Sequence, residues 1–168
     1  MEHRELLLQQ YTMYKGARIQ RIDHFNLFSN DVNTMTAFYV EELGFRMTEA
    51  TVADIKDEDS DLWGTWLHRR GGVHDIAFTN GLGPRLHHIG VYVSTAMDVI
   101  NFCDRLASSD HKDAFERGPG RHGISNAFFL YILDRDGHRT ELFTCDYMTV
   151  DPDHPPRIWD LKDPQRQT

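Results

Sequence analysis

Three residues far apart in the chain, His24, His88 and Glu141, are of the types that hold a divalent metal. Two imidazoles and one carboxylate facing a common cavity form a facial triad, which suits non-haem iron(II) because it leaves coordination positions open for substrate and dioxygen. His24 and His88 each lie near the middle of an alternating, strand-like run, residues 21–29 and 85–93. Glu141 lies inside a third run, between Thr140 and Leu142, where a carboxylate is costly to bury without a partner. Ten histidines in 168 residues direct attention the same way, since imidazole is the commonest metal ligand and titrates near neutrality. Spacing alone leaves a plainer account open, in which the histidines are hydrogen-bonded strand residues and Glu141 faces solvent.

The elements that must carry these residues occur twice. The run around His24 leads into Asn30-Asp31, good helix caps, then Val32, Met35, Phe38, Tyr39 and Leu43 at helical spacing, with Gly44 as the stop. The run around His88 leads to Ser94 or Thr95 as cap and to Met97, Ile100, Phe102, Cys103 and Leu106 as the next helical stripe. Each copy ends in a hairpin, with Gly71-Gly72 and Asp136-Gly137 as turn signals between alternating runs. Matching positions recur at an offset of 64–66 residues: His24 with His88, Leu67 with Leu133, Thr79 with Thr144. A repeat of strand, helix and three strands predicts an α+β fold. Two βαβββ modules, about 19–80 and 85–149, form a curved, partly open barrel, and alternate strand positions project into its cavity. Residues 1–18, with Leu6, Leu7, Leu8 and Tyr11, read as a leading segment or short helix. Residues 150–168, rich in proline and charge, read as a tail outside the barrel.

Composition narrows the function classes. A chain of this length buries enough surface for one core, and 40% hydrophobic with 26% charged residues of mixed sign describes a globular protein. A net charge of −8, with no basic cluster longer than Arg69–Arg70, argues against nucleic acid as a partner. No apolar stretch is long enough to span a membrane, and Met1–Gln10 lacks the order of a signal peptide. Two cysteines, Cys103 and Cys145, form no framework and no CxxC pair, which predicts a reducing, cytoplasmic setting.

Five separated segments then carry a resemblance: Arg21-Ile-Asp-His-Phe-Asn26; Trp66-Leu-His-Arg-Arg-Gly-Gly-Val-His74-Asp75; Gly83-Pro-Arg-Leu-His-His88; Glu116-Arg-Gly-Pro-Gly-Arg-His122-Gly-Ile-Ser-Asn126; and Phe129-Leu-Tyr131 through Glu141. In this order, over about residues 15–166, they resemble the homoprotocatechuate 2,3-dioxygenase family of extradiol ring-cleaving enzymes. That family lies within the vicinal-oxygen-chelate superfamily, with its glyoxalase-like fold. The resemblance implies that His24, His88 and Glu141 hold one iron(II), or manganese(II), per site. It implies that His74 is an acid–base group beside the metal and that Tyr131 hydrogen-bonds a substrate oxygen. Asn26 and Trp66 line the substrate and oxygen pocket, Arg117 and His122 read the acetate group of 3,4-dihydroxyphenylacetate, and Arg166 belongs to a lid. His87 is expected to point away, because neighbours on a strand face opposite sides.

The implied reaction is proximal cleavage of a catechol by dioxygen to a ring-opened semialdehyde, in a homo-oligomer, with the catechol and dioxygen as its small-molecule partners. Family members usually carry two barrel-like units, with metal in the second; here there is one, and Glu2–Gly16 resembles the connector. The family's lid carries a basic pair, whereas Arg166 is followed by Gln167. Two other classes stay open: a metal-dependent isomerase or lyase on the same barrel, and a domain that holds metal and ligand without turnover. The isomerases usually need an additional carboxylate in the ligand set, and none is seen at the position matching Glu141 in the first copy, where Asp75-Ile76 falls beside His74.

Overall fold

In the computed structural model, which describes residues 16–167, one nine-stranded sheet carries both modules. The first module is β1 (Ile19–Ser29), helix α1 (Val32–Ala37, continued by a π turn Phe38–Glu42), β2 (Arg46–Val52), β3 (Leu62–His68) and β4 (Ile76–Asn80). The second is β5 (Arg85–Val93), α2 (Ala96–Ala107), β6 (Phe115–Arg121), β7 (Phe128–Leu133) and β8 (Arg139–Thr144). With a last strand β9 (Arg157–Asp160), the strand order β6-β7-β8-β5-β1-β4-β3-β2-β9 puts the two opening strands, β1 and β5, side by side at the centre. They run antiparallel, and each is flanked by its own module's last strand in parallel, β1 by β4 and β5 by β8. The residues that open and close the modules therefore meet in the middle of one curved sheet.

Local chemistry explains the elements. Asp31 caps α1 by accepting from the Thr34 N–H at 2.9 Å, and Thr95 caps α2 in a capping box with Asp98. Gly44 takes φ of +67°, the left-handed stop expected of it. In α2 the core-facing stripe has Val99, Phe102 and Cys103 packed on Val91, Val93, Leu130 and Leu142, and Leu106 buried one turn on. Met97 and Ile100, expected in that stripe, are 59% and 40% exposed, because the helical repeat that includes Phe102 and Leu106 turns them outward. The second core lies under α1, where Val32, Leu67 and Phe78 are buried with Met35 and Tyr39 packed against them, while Phe38 and Leu43 stay exposed.

Two segments differ from their expected form. The Gly71-Gly72 turn is the tip of a broad loop, 69–75, held by carboxyl and carbonyl acceptors rather than by a tight turn. The tail is not outside the sheet: Arg157–Asp160 form β9, which pairs in parallel with β2 and buries Trp159. An indole amid prolines and charges has no periodicity to announce a strand, so only the pairing reveals it. The leading helix expected at Leu6–Tyr11 lies outside the described residues. Among the described residues no helix is long and apolar enough to cross a membrane.

Candidate metal centre

His24, His88 and Glu141 reach one point from three adjacent strands. His24 on β1 stands opposite Gly90 on β5, and Gly90 stands opposite Glu141 on β8. The central position must be glycine, since a Cβ there would fall 2.2 Å from Cε1 of His24. The imidazole thus crosses β5 and meets His88, two residues back on the same face. Nε2 of His24 lies 2.9 Å from Oε2 of Glu141 and 3.1 Å from Nε2 of His88, and His88 Nε2 lies 3.1 Å from the same carboxylate oxygen. Ligands at about 2.1 Å from one ion and at right angles to each other stand about 3 Å apart, so the three atoms fit one face of an octahedral site.

The neighbours orient these donors. Asp23 Oδ2 lies 3.2 Å from Nδ1 of His24, and when Nδ1–H donates to it the Nε2 lone pair is left for a metal. All three residues are buried. Burial alone would raise the Glu141 carboxyl, but His88 and the hydrogen bonds from His122, His24 and His88 outweigh it and hold it well below the usual range. Burial likewise works against a charge on His24, yet its bonds to Asp23 and Glu141 push it up to about 9. The His88 imidazole is shifted down, chiefly by burial, against the pull of Glu141.

His74 comes from loop 69–75. Asp75 accepts from the backbone N–H groups of Arg69 and Arg70 and pairs with the Arg70 guanidinium, which also donates to the Asp23 carbonyl at 2.5 Å. Asp75 N–H donates to Leu67 O at 2.8 Å, and Thr48 donates to Val73 O at 2.7 Å. So pinned, the His74 ring lies 4.1 Å from the His24 ring, and its Nδ1 is buried with no hydrogen-bond partner among the described residues. Burial first, then the neighbouring His24, drives its pKa well below the ordinary value. Its surroundings thus favour the uncharged imidazole, and Nδ1 is left without a partner among the described residues.

The expected site residues share one cavity of about 510 Å³, which His88, Glu141 and His74 line and which His24 backs. Asn26 lies two residues beyond His24 on β1 and accepts from Thr79 Oγ1 at 3.2 Å; Trp66 enters from β3. Tyr131 on β7 faces Glu141 across the β7–β8 pair, and burial with the Glu141 charge lifts its phenol well above its ordinary pKa, so it stays a donor. His122, at the end of β6, stacks on Phe129 at 3.6 Å and brings Nε2 to 3.1 Å from Glu141 Oε1 and 3.2 Å from the Tyr131 hydroxyl. It therefore also touches the carboxylate of the triad. Arg117 lies over the same Phe129 ring, at 5.5 Å from its centre, and lines the cavity. Arg166 lines it too; its Nη2 donates to Leu161 O, while its Nε is buried without a partner among the described residues.

His87 departs from expectation. It lines the same cavity as His88, with its Nδ1 2.6 Å from Nδ1 of His88 and its ring against Phe28. The β1–β5 register slips between Asn26 and Leu27, a bulge that leaves His87 without an opposite residue and breaks the alternation that would have turned it away. Arg139, itself paired with Glu116, donates to His87 Nε2 at 3.0 Å. Burial, then His88 and Arg139, push His87 down to about 3. Arg139 and Glu116 line the cavity as well, and sequence patterning gave no sign of either.

Comparison with known proteins places this geometry. The model of the Glyoxalase/Bleomycin resistance protein/Dioxygenase superfamily matches residues 21–142. A metapyrocatechase of Geobacillus stearothermophilus is 34% identical over 153 residues, covering 89% of this chain and 45% of that protein. A manganese-dependent 2,3-dihydroxybiphenyl 1,2-dioxygenase of Geobacillus genomosp. 3 is 36% identical over 149 residues, covering 86% and 45%. Among solved structures, homoprotocatechuate 2,3-dioxygenase from Brevibacterium fuscum in complex with 3,4-dihydroxyphenylacetate superposes with a TM-score of 0.83 at 45% identity, over 94% of this chain and 48% of that one. The Arthrobacter globiformis enzyme gives 0.84 at 46%, over 95% and 48%. The chain spans just under half the length of the relatives it matches.

Proposed function

Since the chain belongs to the Glyoxalase/Bleomycin resistance protein/Dioxygenase superfamily, we propose that it is the metal-bearing unit of an extradiol catechol dioxygenase that cleaves 3,4-dihydroxyphenylacetate proximally. The observation that carries this reading is the set of two imidazole nitrogens and one carboxylate oxygen 2.9–3.1 Å apart, with the His74 ring packed against them. His24, His88 and Glu141 would hold iron(II) or manganese(II), which when bound would supply Lewis acidity toward a catechol and redox chemistry toward dioxygen.

The chain's own groups do the rest. A catechol must lose protons to chelate, and His74, neutral and with Nδ1 unused, accepts one and later returns it. Tyr131, kept protonated, donates a hydrogen bond to a ring oxygen as that carbon changes hybridisation. His122 braces the free oxygen of Glu141, which fixes the carboxylate's orientation. Arg117 and Arg166 give the cavity guanidinium groups suited to the planar carboxylate of an acetate side chain. The isomerase alternative loses its needed ligand: the register that aligns Gly90 with Glu141 aligns Asn26 with Ala77 in the first module, not with Asp75 or Ile76, and alanine offers no oxygen.

The test is a colour assay. Anaerobically iron(II)-loaded protein, mixed with 3,4-dihydroxyphenylacetate and then air, should form the yellow ring-opened semialdehyde. Stoichiometric catechol binding with no yellow product would leave a binding domain in place of an enzyme.

A further inference from the structure

A second buried carboxylate lies outside the metal centre. Glu49 on β2 is 1% exposed, and its three contacts are all donors from segments distant in sequence. The Ser125 N–H donates to Oε1 at 2.6 Å, the Tyr147 hydroxyl donates to Oε1 at 2.8 Å, and the Trp159 indole N–H donates to Oε2 at 2.5 Å. All three are neutral donors, so the group is asked to accept, which a carboxylate does at both oxygens, while Arg157, opposite Glu49 on β9, lies over the Trp159 ring.

What Glu49 holds is the loop after β6. That loop, 122–127, carries His122, which touches Glu141, and Ile124 and Ser125, which line the cavity. Its backbone is not a common turn: Ser125 and Asn126 both take positive φ, 65° and 53°, which for non-glycine residues persists only where surroundings enforce it. The enforcement is visible. Ser125 N–H is tied to Glu49, Ser125 O accepts from Tyr147 N at 3.4 Å, and His122 N donates to Ala127 O at 2.9 Å. From the other side the turn Pro164–Gln167, which bears Arg166, lies against the loop so closely that a Cβ on Gly123 would fall 1.7 Å from Gln165 O. That turn follows β9, which Glu49 also grips through Trp159. One side chain therefore ties together the loop bearing His122 and the strand leading to Arg166.

We infer that Glu49 is a positioning residue for the substrate-recognition side of the cavity, setting His122 and Arg166 relative to the triad without touching substrate. The inference rests on the catechol reading for its effect on specificity, but its geometric part does not. The metal ligands lie on β1, β5 and β8, so removing Glu49 leaves all three in place and reaches them through the loop whose His122 touches Glu141.

The test uses the metal-loaded full chain and three variants. In Glu49→Ala, amide hydrogen exchange should accelerate across 122–127 and 157–160, while β1, β5 and β8 stay protected and metal content is unchanged. The preference for 3,4-dihydroxyphenylacetate over 4-methylcatechol should fall about tenfold or more, mostly in KM, since misplacing recognition groups by about 1 Å costs up to about a hundredfold. In Glu49→Gln the amide oxygen can still accept from Ser125 and Tyr147, but its NH2 meets the Trp159 N–H, donor against donor. Faster exchange should then be confined to β9, with specificity within about threefold of the parent, and adding Trp159→Phe should restore β9. Glu49→Ala that leaves exchange in 122–127 and the substrate preference unchanged overturns the inference. If that variant does not fold, Glu49→Gln decides: loosening confined to β9 supports the latch, and loosening spread evenly through the sheet overturns it. A parent that shows no preference for the acid refutes the substrate assignment instead, and the exchange pattern still decides the role of Glu49.

Discussion

In the second module β5 and β8 set Gly90 opposite Glu141, whereas in the first module the matching strands β1 and β4 set Asn26 opposite Ala77. Both pairs put one large polar side chain beside one small residue, with the sizes exchanged. In the second module the empty space over Gly90 admits the His24 ring, and the carboxylate closes the ligand set. In the first module Asn26 occupies the corresponding place and accepts from Thr79, so that pair adds no carboxylate to the ligand set. A duplicated scaffold thus supplies one histidine from each copy but only one carboxylate. The single asymmetric pair turns a symmetric cradle into a three-ligand site with one open side.

The comparison is broken most severely by filling the space over Gly90. Gly90→Ala would place its Cβ within 2.2 Å of the His24 ring, so metal loading should be lost and stability should fall by about 1–3 kcal/mol, as in other overpacked sites. Asn26→Ala, at the matched position, should keep the metal. Metal analysis with denaturant unfolding reads both, and a Gly90→Ala protein that loads metal like the parent would show that the strand register has been misread. Next in size, His74→Phe should leave metal content intact and slow catechol turnover by about a hundredfold or more. Loss of metal in that variant would make His74 a ligand.

Smaller again is the effect of Arg117→Ala. It should lower the specificity ratio for 3,4-dihydroxyphenylacetate over 4-methylcatechol by about ten- to a hundredfold, the worth of a charge-assisted contact. The ratio cancels differences in metal loading, and an unchanged ratio would remove Arg117 from recognition.

The titration of His24 gives a separate check on the ligand set. Raised to about 9 without metal, His24 stabilises the metal-free chain fully below about pH 6.5, and that contribution is lost as pH rises through about 9. Metal must displace this proton, so metal affinity should climb about tenfold per pH unit between those limits. A flat affinity profile over that range would mean that His24 is already neutral.

The repeat made the architecture legible, because strand alternation, caps and a constant offset recur on both sides of His24 and His88. The triad was legible for the same reason, joined to the motif around Glu141. His87 was misplaced because a bulge is a property of pairing between two strands and leaves no mark on either one's pattern. Gly90 read as an ordinary strand residue until the ring that crosses it was located. Glu49 was missed because its partners, Ser125, Tyr147 and Trp159, lie 76, 98 and 110 residues away and include no basic group to suggest a pair. The same holds for β9, whose place depends on Glu49 and on β2 rather than on any periodicity of its own.

The two buried carboxylates offer the most direct trial of the central claim. Glu141 is surrounded by imidazoles and Glu49 by neutral donors, although both are almost fully buried. Iron(II) should be titrated anaerobically into the parent, Glu141→Ala and Glu49→Ala, and the bound metal counted after dialysis. The parent and Glu49→Ala should each hold one equivalent and Glu141→Ala none. One tightly held equivalent in Glu141→Ala would contradict the assignment of the metal centre.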